Sequence, residues 1–534
     1  MTGNAGVTGN ATLPAAGALA DNATLPDASA GHLLYSVVLT LIRRHRWWFA
    51  ATALAAVLLR LFFIWKMAVV TNDALFYGDI AKCLLHHHGY GLGDAPGCTP
   101  TLSRLPGYPL FLAFSFLLGG EDHYRAAMLL QLVFDMLSCL LVADITRRVV
   151  GGRAARTAFV LAAFCPFLMN YVATPLTECL EIFCIAAALD CAMVALEKRD
   201  APAAGAGLRW WTLCGISCAG AIVLRPDGGL ILAGIGLPMV ALGWREEGTG
   251  QRTALRSQTL GWREKGRRRE LLTAALLLGA VSLAPLVPWT IRNWRVFHVF
   301  QPLVTTHASD PGEFLPIGWE RWLQSWLIDY ASVEDVSFKM PGEAIDPGNI
   351  PGRAYNSEAQ RAQVQRLLEQ YNVDYQMTPE LDRQFAALAR ENIRMHPVRY
   401  YLLLPAARMV DMWLRPRSEL MPLNTHFWEI AEDPYDAVCD LALGALNLAY
   451  VAAAVAGAWV MRRRMKYLGL LLTYPVVRSL FLATTGAAED RYTLECFPFV
   501  LVLAAALLSW WQSRGVVTED GEPNAGKPET EPRP

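Results

Sequence analysis

The stretch RRHRWWFAATALAAVLLRLFFIWKMAVVTNDALFY, residues 43–77, decides the fold. Arg43, Arg44 and Arg46 precede an apolar run from Trp47 to Val70. A helix crossing ~30 Å of hydrocarbon needs about 20 mostly apolar residues, and this run is long enough. Basic residues stay on the cytoplasmic side of a bilayer, so the run is expected to leave the cytoplasm. Just past it stands Asp73, with Tyr77 and Ala81 at four-residue steps. All three share one face if the segment is helical. Such an Asp either caps a helix at the headgroup boundary or offers a carboxylate to an active site there.

Composition extends the membrane reading to the whole chain. Of 534 residues, 54% are hydrophobic and 18% charged, whereas soluble domains carry about a quarter charged residues. The net charge of -1 excludes a chain-wide basic field for nucleic acid, and no zinc-finger or phosphate-loop pattern is present. Nine cysteines (Cys139, Cys165, Cys179, Cys184, Cys191, Cys214, Cys218, Cys439, Cys496) lie in or beside apolar runs, where thiols act as small hydrophobes. Cys83 and Cys98 lie in a polar loop. They could pair in an oxidising compartment, which spacing alone leaves open.

The expected fold class is an all-α polytopic membrane protein. Basic clusters recur at Arg147, Arg148, Arg153 and Arg156, at Lys198, Arg199 and Arg209, at Arg263, Lys265, Arg267, Arg268 and Arg269, and at Arg462, Arg463, Arg464 and Lys466. All fall on one side if about ten helices cross and both termini are cytoplasmic. The first 31 residues lack a basic start before an apolar core and read as a disordered tail, not a signal peptide. Asn10 and Asn22 stand in N-x-T triplets on this cytoplasmic side, where glycosylation is not expected. The expected division is a tail (1–31), an N-terminal transmembrane module (32–300) with a first outer loop (71–122), an outer loop region (301–434), C-terminal transmembrane helices (435–513) and a second tail (514–534).

Both outer loops carry structure of their own. Pro109 to Leu118 is too short to cross and is expected to lie in the interface, as is Pro397 to Leu414 with its Arg399, Arg408 and Asp411. The second loop contains an amphipathic stretch, Ala359–Leu368, and Trp319, Trp322, Trp326, Trp413 and Trp428. Indoles stack on sugar faces and equally suit a membrane-interface belt, the latter more so for Trp413 and Trp428.

Ionisable groups at bilayer depth cost about 2.5–3.5 kcal/mol each, so they need a reason. Arg104, Glu178, Arg225 with Asp227, Arg292 with Asn293, and the group Glu489, Asp490, Arg491 and Tyr492 all fall toward the outer side of this topology. Each alone has a bland reading as a snorkelling arginine or a surface pair. Together they suit a lipid phosphate and a polar headgroup, because guanidinium binds phosphate bidentately. His86, His87 and His88 look like a metal motif, but adjacent imidazoles on a helix point apart and no partner has ligand spacing.

The order of these pieces resembles a known family. Asp73-x-x-x-Tyr77-x-x-x-Ala81 is followed by Arg104-Leu105-Pro106-Gly107-Tyr108-Pro109-Leu110, Leu176-Thr177-Glu178, Leu224-Arg225-Pro226, Pro288-Trp289-Thr290-Ile291-Arg292-Asn293, and Arg491-Tyr492 before Pro498. Over roughly residues 49–510 this is similar to the bacterial family 39-type glycosyltransferases of the GT-C superfamily, which include protein O-mannosyltransferases and the lipid A aminoarabinose transferase. The resemblance implies a GT-C helical bundle with interfacial helices in the first outer loop. It implies transfer of a sugar, usually with inversion, from a polyprenyl-phosphate donor to a glycan, lipid or protein acceptor at the outer face of the cytoplasmic membrane.

By position, Asp73 is the implied general base. Many relatives have Asp-Glu here, whereas this chain has Asp73-Ala74, so a second carboxylate role is unfilled or passes to Asp79 or Glu178. Arg104, Arg225, Arg292 and Arg491 are candidates for the donor phosphate; Tyr77 and Tyr108 are candidates to orient the sugar or the base. Glu178, Asn293 and Tyr492 complete the substrate-binding set. No cofactor is implied, although some superfamily members use a metal ion. A transporter of lipid-linked saccharides would show internal repeats, and none is evident between the halves. An O-antigen ligase or polymerase would rely on the long second loop, which is present.

Overall fold

The structure is a computed structural model describing residues 41–93, 97–199, 207–253, 260–305, 308–423, 426, 428, 430, 431, 433–486 and 489–515. The tail expected at 1–31 with Asn10 and Asn22, the chain beyond 515, and the side chains of the basic loop from Trp244 to Arg269 lie outside what is described.

Helix α1 (Arg46–Lys66) leads into α2 (Asn72–Leu85), whose N-cap Thr71 accepts from the Ala74 amide at 3.2 Å. An antiparallel pair, β1 (Gly91–Leu92) and β2 (Thr99–Pro100), precedes α3 (Gly107–Gly119) and α4 (Tyr124–Val149). Helices α5 (Gly152–Ala163) and α6 (Pro166–Val172) meet at a 52° bend. They are followed by α7 (Glu178–Arg199), α8 (Leu208–Leu224), a 3-10 turn (Pro226–Gly229), α9 (Leu230–Thr253), α10 (Leu260–Leu283) and α11 (Leu286–Phe297). The 301–434 region holds α12 (Ile317–Gln324), α13 (Glu358–Tyr371), α14 (Pro379–Met395) and α15 (Leu404–Leu414). The chain then forms α16 (Pro434–Met461), α17 (Leu468–Leu482), a 3-10 segment (Asp490–Cys496) and α18 (Phe497–Gly515).

Among the described residues, six helical runs are long and apolar enough to cross a bilayer: Arg46–Lys66, Tyr124–Val149, Glu178–Lys198, Glu270–Phe297, Pro434–Met461 and Asp490–Ser513. The bent pair α5–α6 makes a seventh. Shorter apolar helices are Gly107–Gly119, Leu208–Leu224, Pro226–Leu242 and Leu468–Leu482. The protein is an all-helical polytopic membrane protein. Helix α3 is the short apolar piece expected in the first outer loop.

Charges inside the bundle are paired. Arg60, fully buried in α1, bonds Asp135 of α4 at 2.5 Å and the Ala163 carbonyl at the end of α5 at 2.7 Å. At the C-terminal end of α4, Arg148 bonds Asp144 at 2.7 Å and reaches Asp190 and Glu197 of α7 at 3.1 and 2.5 Å. One residue of a topogenic basic cluster thus also ties two helices together.

The region expected as a second outer loop has its own hydrophobic core. Ser357 and Thr378 cap α13 and α14 through the Gln360 and Leu381 amides, and apolar faces of α12, α13 and α14 meet around Trp319, Trp322, Trp326, Leu368, Tyr371 and Phe385. The three indoles are 0% exposed, so both alternatives left open for Trp319, Trp322 and Trp326, sugar stacking and an interface belt, are corrected. They stand at intervals of three and four on and just past α12, the pattern of a core-facing stripe. Trp413 donates its indole N–H to Ser479 of α17 at 2.9 Å, while Trp428 is half-exposed.

Candidate active site

A pocket of about 320 Å³ opens where α2, the segment before α3, α7, the Pro226–Gly229 turn, residues Val304, Thr305 and Ala308 and the Asp490–Cys496 segment converge. Its charged lining is Asp73, Arg104, Glu178, Arg225, Asp227 and Arg491. This volume is at the lower end of ligand clefts.

Asp73 sits in the first turn of α2, set there by the Thr71 cap. Arg104 Nη2 lies 3.1 Å from its Oδ1, and Arg491 Nη2 lies 3.7 Å from its Oδ2. The carboxylate is held between two guanidiniums, yet its side chain remains 39% exposed to the pocket. Arg491 also pairs with Glu489, which accepts from the Tyr492 hydroxyl at 2.5 Å. The Arg104 guanidinium lies over the Phe76 ring at 4.7 Å, restricting it to this side of α2.

The segment bearing Arg104 is fastened at several points. A disulfide joins Cys83 at the end of α2 to Cys98, answering the pairing that spacing left open. Arg292 donates to the carbonyls of Thr101 and Tyr90, each at 2.6 Å. Asp310 accepts from the Leu102 amide at 2.7 Å. Gly107, in the Arg104–Pro109 motif, has no room for a side chain: a Cβ there would stand 2.6 Å from the Val223 carbonyl of α8.

On the opposite wall, Glu178 begins α7 and binds Arg225 Nη1 at 3.0 Å. Arg225 also meets Asp227 at 3.2 Å, Glu181 at 3.6 Å and Glu495 at 4.0 Å, and lies over the Tyr492 ring at 4.8 Å. Gly228 lets the turn press on α8, since a Cβ would meet the Ala221 carbonyl at 2.4 Å.

The pocket therefore gathers Asp73, Tyr77, Arg104, Glu178, Arg225, Arg491 and Tyr492, and leaves out three other expected residues. Tyr108 is buried behind it, donating to Gln131 at 2.7 Å and packing its ring against Tyr77 with centroids 5.1 Å apart. Arg292 clamps backbone carbonyls, and Asn293 is buried with its amide on the Gln301 carbonyl at 2.9 Å. Asp79 pairs with Lys82 at 3.0 Å and is not part of the lining, whereas Glu178 is. Burial pushes the Tyr77 phenol up to about 12, so it stands in the pocket as a protonated hydroxyl.

Asp227, singled out with Arg225 in the sequence, lines the pocket as well, and the structure adds Thr305 to the lining and a buried layer of Glu181, Arg478 and Glu495 behind it. Arg478 lies within an apolar helix and Glu495 at the head of the last, and ionisable residues in such positions are themselves a signal. Among the described residues no group of three or more His, Cys, Asp or Glu side chains is arranged to hold a metal ion. His86 instead contacts Glu121 at 3.1 Å.

Residues 100–249 match the profile of a family described as dolichyl-phosphate-mannose-protein mannosyltransferase. That stretch contains Arg104, Glu178, Arg225 and Asp227. No curated protein matches the chain by sequence. In structure the chain is similar to the archaeal oligosaccharyltransferase AglB from Archaeoglobus fulgidus, solved with an inhibitory peptide and a dolichol-phosphate, at 13% identity and a TM-score of 0.47. The likeness covers 90% of this chain and 53% of that one, so the chain spans about half the length of that relative. It is also similar to ArnT from Cupriavidus metallidurans bound to undecaprenyl phosphate, at 13% identity and a TM-score of 0.37, covering 88% and 80% of the two chains. The chain is an all-helical polytopic membrane protein that, over residues 100–249, is similar to the family described as dolichyl-phosphate-mannose-protein mannosyltransferase.

Proposed function

We propose that the protein transfers a sugar from a polyprenyl-phosphate donor to a glycan, lipid or protein acceptor at the outer face of the cytoplasmic membrane, with Asp73 as general base and inversion at the anomeric carbon. The observation that carries this reading is the convergence on one pocket of a pocket-facing carboxylate, Asp73, with Arg104, Arg225 and Arg491. The basic clusters support a topology with both termini in the cytoplasm and this pocket on the opposite side.

The chemistry needs few parts. The acceptor oxygen attacks the anomeric carbon from one face, Asp73 takes its proton, and the carbon–oxygen bond to the lipid phosphate breaks on the other. The phosphate leaves with the bonding pair and needs charge stabilisation more than protonation. Arg104, Arg225 and Arg491 supply fixed cations for that charge. Arg104 and Arg491 hold the Asp73 carboxylate between them, and the protonated Tyr77 hydroxyl is a donor for a sugar oxygen. Arg292 supports the Arg104 segment instead of meeting substrate.

Purified protein in detergent, incubated with a panel of synthetic polyprenyl-phosphate monosaccharides and candidate acceptors, tests the reading. Sugar transfer or release from at least one donor, with an α-to-β or β-to-α change in a transferred product, is expected. Retention of anomeric configuration contradicts the mechanism.

A further inference from the structure

We infer that Arg478 is a positioning residue that keeps Arg225 available to a bound phosphate. The inference rests on the reading of the pocket as a site for a lipid phosphate. Arg478 projects from the middle of α17, is fully buried and does not line the pocket. It nevertheless reaches the same acids as Arg225. Its Nη2 lies 2.8 Å from Asp227 and 3.1 Å from Glu495, and its Nη1 lies 3.4 Å from Glu181.

Arg225 is within 4.0 Å of Glu181, Asp227 and Glu495 as well, and holds Glu178 in addition. Two guanidiniums thus share a set of carboxylates, one from the pocket wall and one from behind. Arg225 commits Nη1 to Glu178 and Nε to Asp227, and among the described residues its Nη2 makes no hydrogen bond. Neither Glu495 oxygen has a hydrogen-bond partner among them either. Glu495 is held by charge alone, and the pull it exerts divides between the two arginines. Without Arg478 the whole acidic set would act on Arg225, drawing it inward and presenting an approaching anion with uncompensated negative charge.

Arg478 also fixes the pocket wall. Its Nε donates to the Tyr492 carbonyl at 2.7 Å, and the Tyr492 ring is the one over which Arg225 lies. One buried side chain therefore sets both the charge around Arg225 and the surface on which it rests.

The test is binding of a synthetic polyprenyl monophosphate, without sugar, to the full-length protein in detergent. Arg478→Gln is expected to weaken binding by about tenfold. Arg478→Gln combined with Glu495→Gln is expected to recover most of that loss, because the uncompensated acid is removed. Glu495→Gln alone, which conserves volume and leaves Arg478 in place, is expected to bind at least as tightly as wild type, and provides the reading if Arg478→Gln does not fold. Unchanged binding in Arg478→Gln, a loss that Glu495→Gln fails to relieve, or weaker binding in Glu495→Gln alone overturns the inference. Wild-type protein that does not bind the phosphate overturns the proposed donor site and this inference with it.

Discussion

Arg104 Nη2 stands 3.1 Å from Asp73 Oδ1, although the two residues belong to different elements and are separated by a disulfide-closed loop. Arg491, from the far end of the chain, approaches the other oxygen of the same carboxylate at 3.7 Å. A carboxylate with a guanidinium on each side is fixed in orientation, and in the proposed mechanism the same cations serve the departing phosphate.

Arg104 should therefore affect the chemical step. Replacing it with Gln removes both the Asp73 contact and a phosphate donor, and loss of one preorganised donor costs about 10²–10³ in kcat. Single-turnover rates at saturating donor are expected to fall by that factor. Arg292→Gln is expected to lower thermal stability more than the single-turnover rate, because Arg292 holds backbone carbonyls outside the pocket lining.

The Cys83–Cys98 bridge closes a loop with a sequence separation of 15. In the chain-entropy account such a loop contributes about 3 kcal/mol. Cys83→Ser/Cys98→Ser protein should melt at lower temperature than wild type under oxidising conditions, and the difference should vanish when both are fully reduced.

Asp411 of α15 offers a pH dependence. Burial pushes its carboxyl from 3.8 up to about 6, and Arg415, 3.9 Å away, offsets this only in part. The folded state favours the neutral acid, so this group's contribution to stability declines as pH rises from about 4 to about 6 and is flat above. Asp411→Asn is expected to raise stability at pH 7.5 by about 2 kcal/mol at most, discounted for partial exposure, and to have little effect near pH 4. Thermal melts across that range check the sign.

The Arg60–Asp135 pair inside the bundle gives a contrast in cost. Removing one partner strands a buried charge, and such losses run to about 3–5 kcal/mol. Asp135→Leu should be strongly destabilising, whereas Arg60→Met/Asp135→Leu should recover most of the loss. Yield of monodisperse protein and melting temperature provide the measure.

The membrane helices and the gathering of Asp73, Arg104, Glu178, Arg225 and Arg491 were legible because ionisable groups beside apolar runs are costly and therefore informative. The same signal does not separate a phosphate ligand from a backbone clamp: Arg292 ends a span much as Arg225 does, yet it holds the Tyr90 and Thr101 carbonyls. Tyr108 carries a family motif but turns to Gln131, a partner no local pattern specifies. Trp319, Trp322 and Trp326 invite a sugar-stacking or interface-belt reading by residue type, whereas their three- and four-residue spacing is that of the core stripe they form. Arg478 is marked by its place in an apolar helix, but its partners Glu181, Asp227 and Glu495 lie on three other segments that only the fold brings together.

The central claim is that Asp73 is the general base. Donor turnover by Asp73→Asn protein, beside wild type and with equal donor binding confirmed, tests it most directly. The account predicts a loss of at least about 10² in turnover, in line with the contribution of a positioned base. Turnover at the wild-type rate by Asp73→Asn would contradict it.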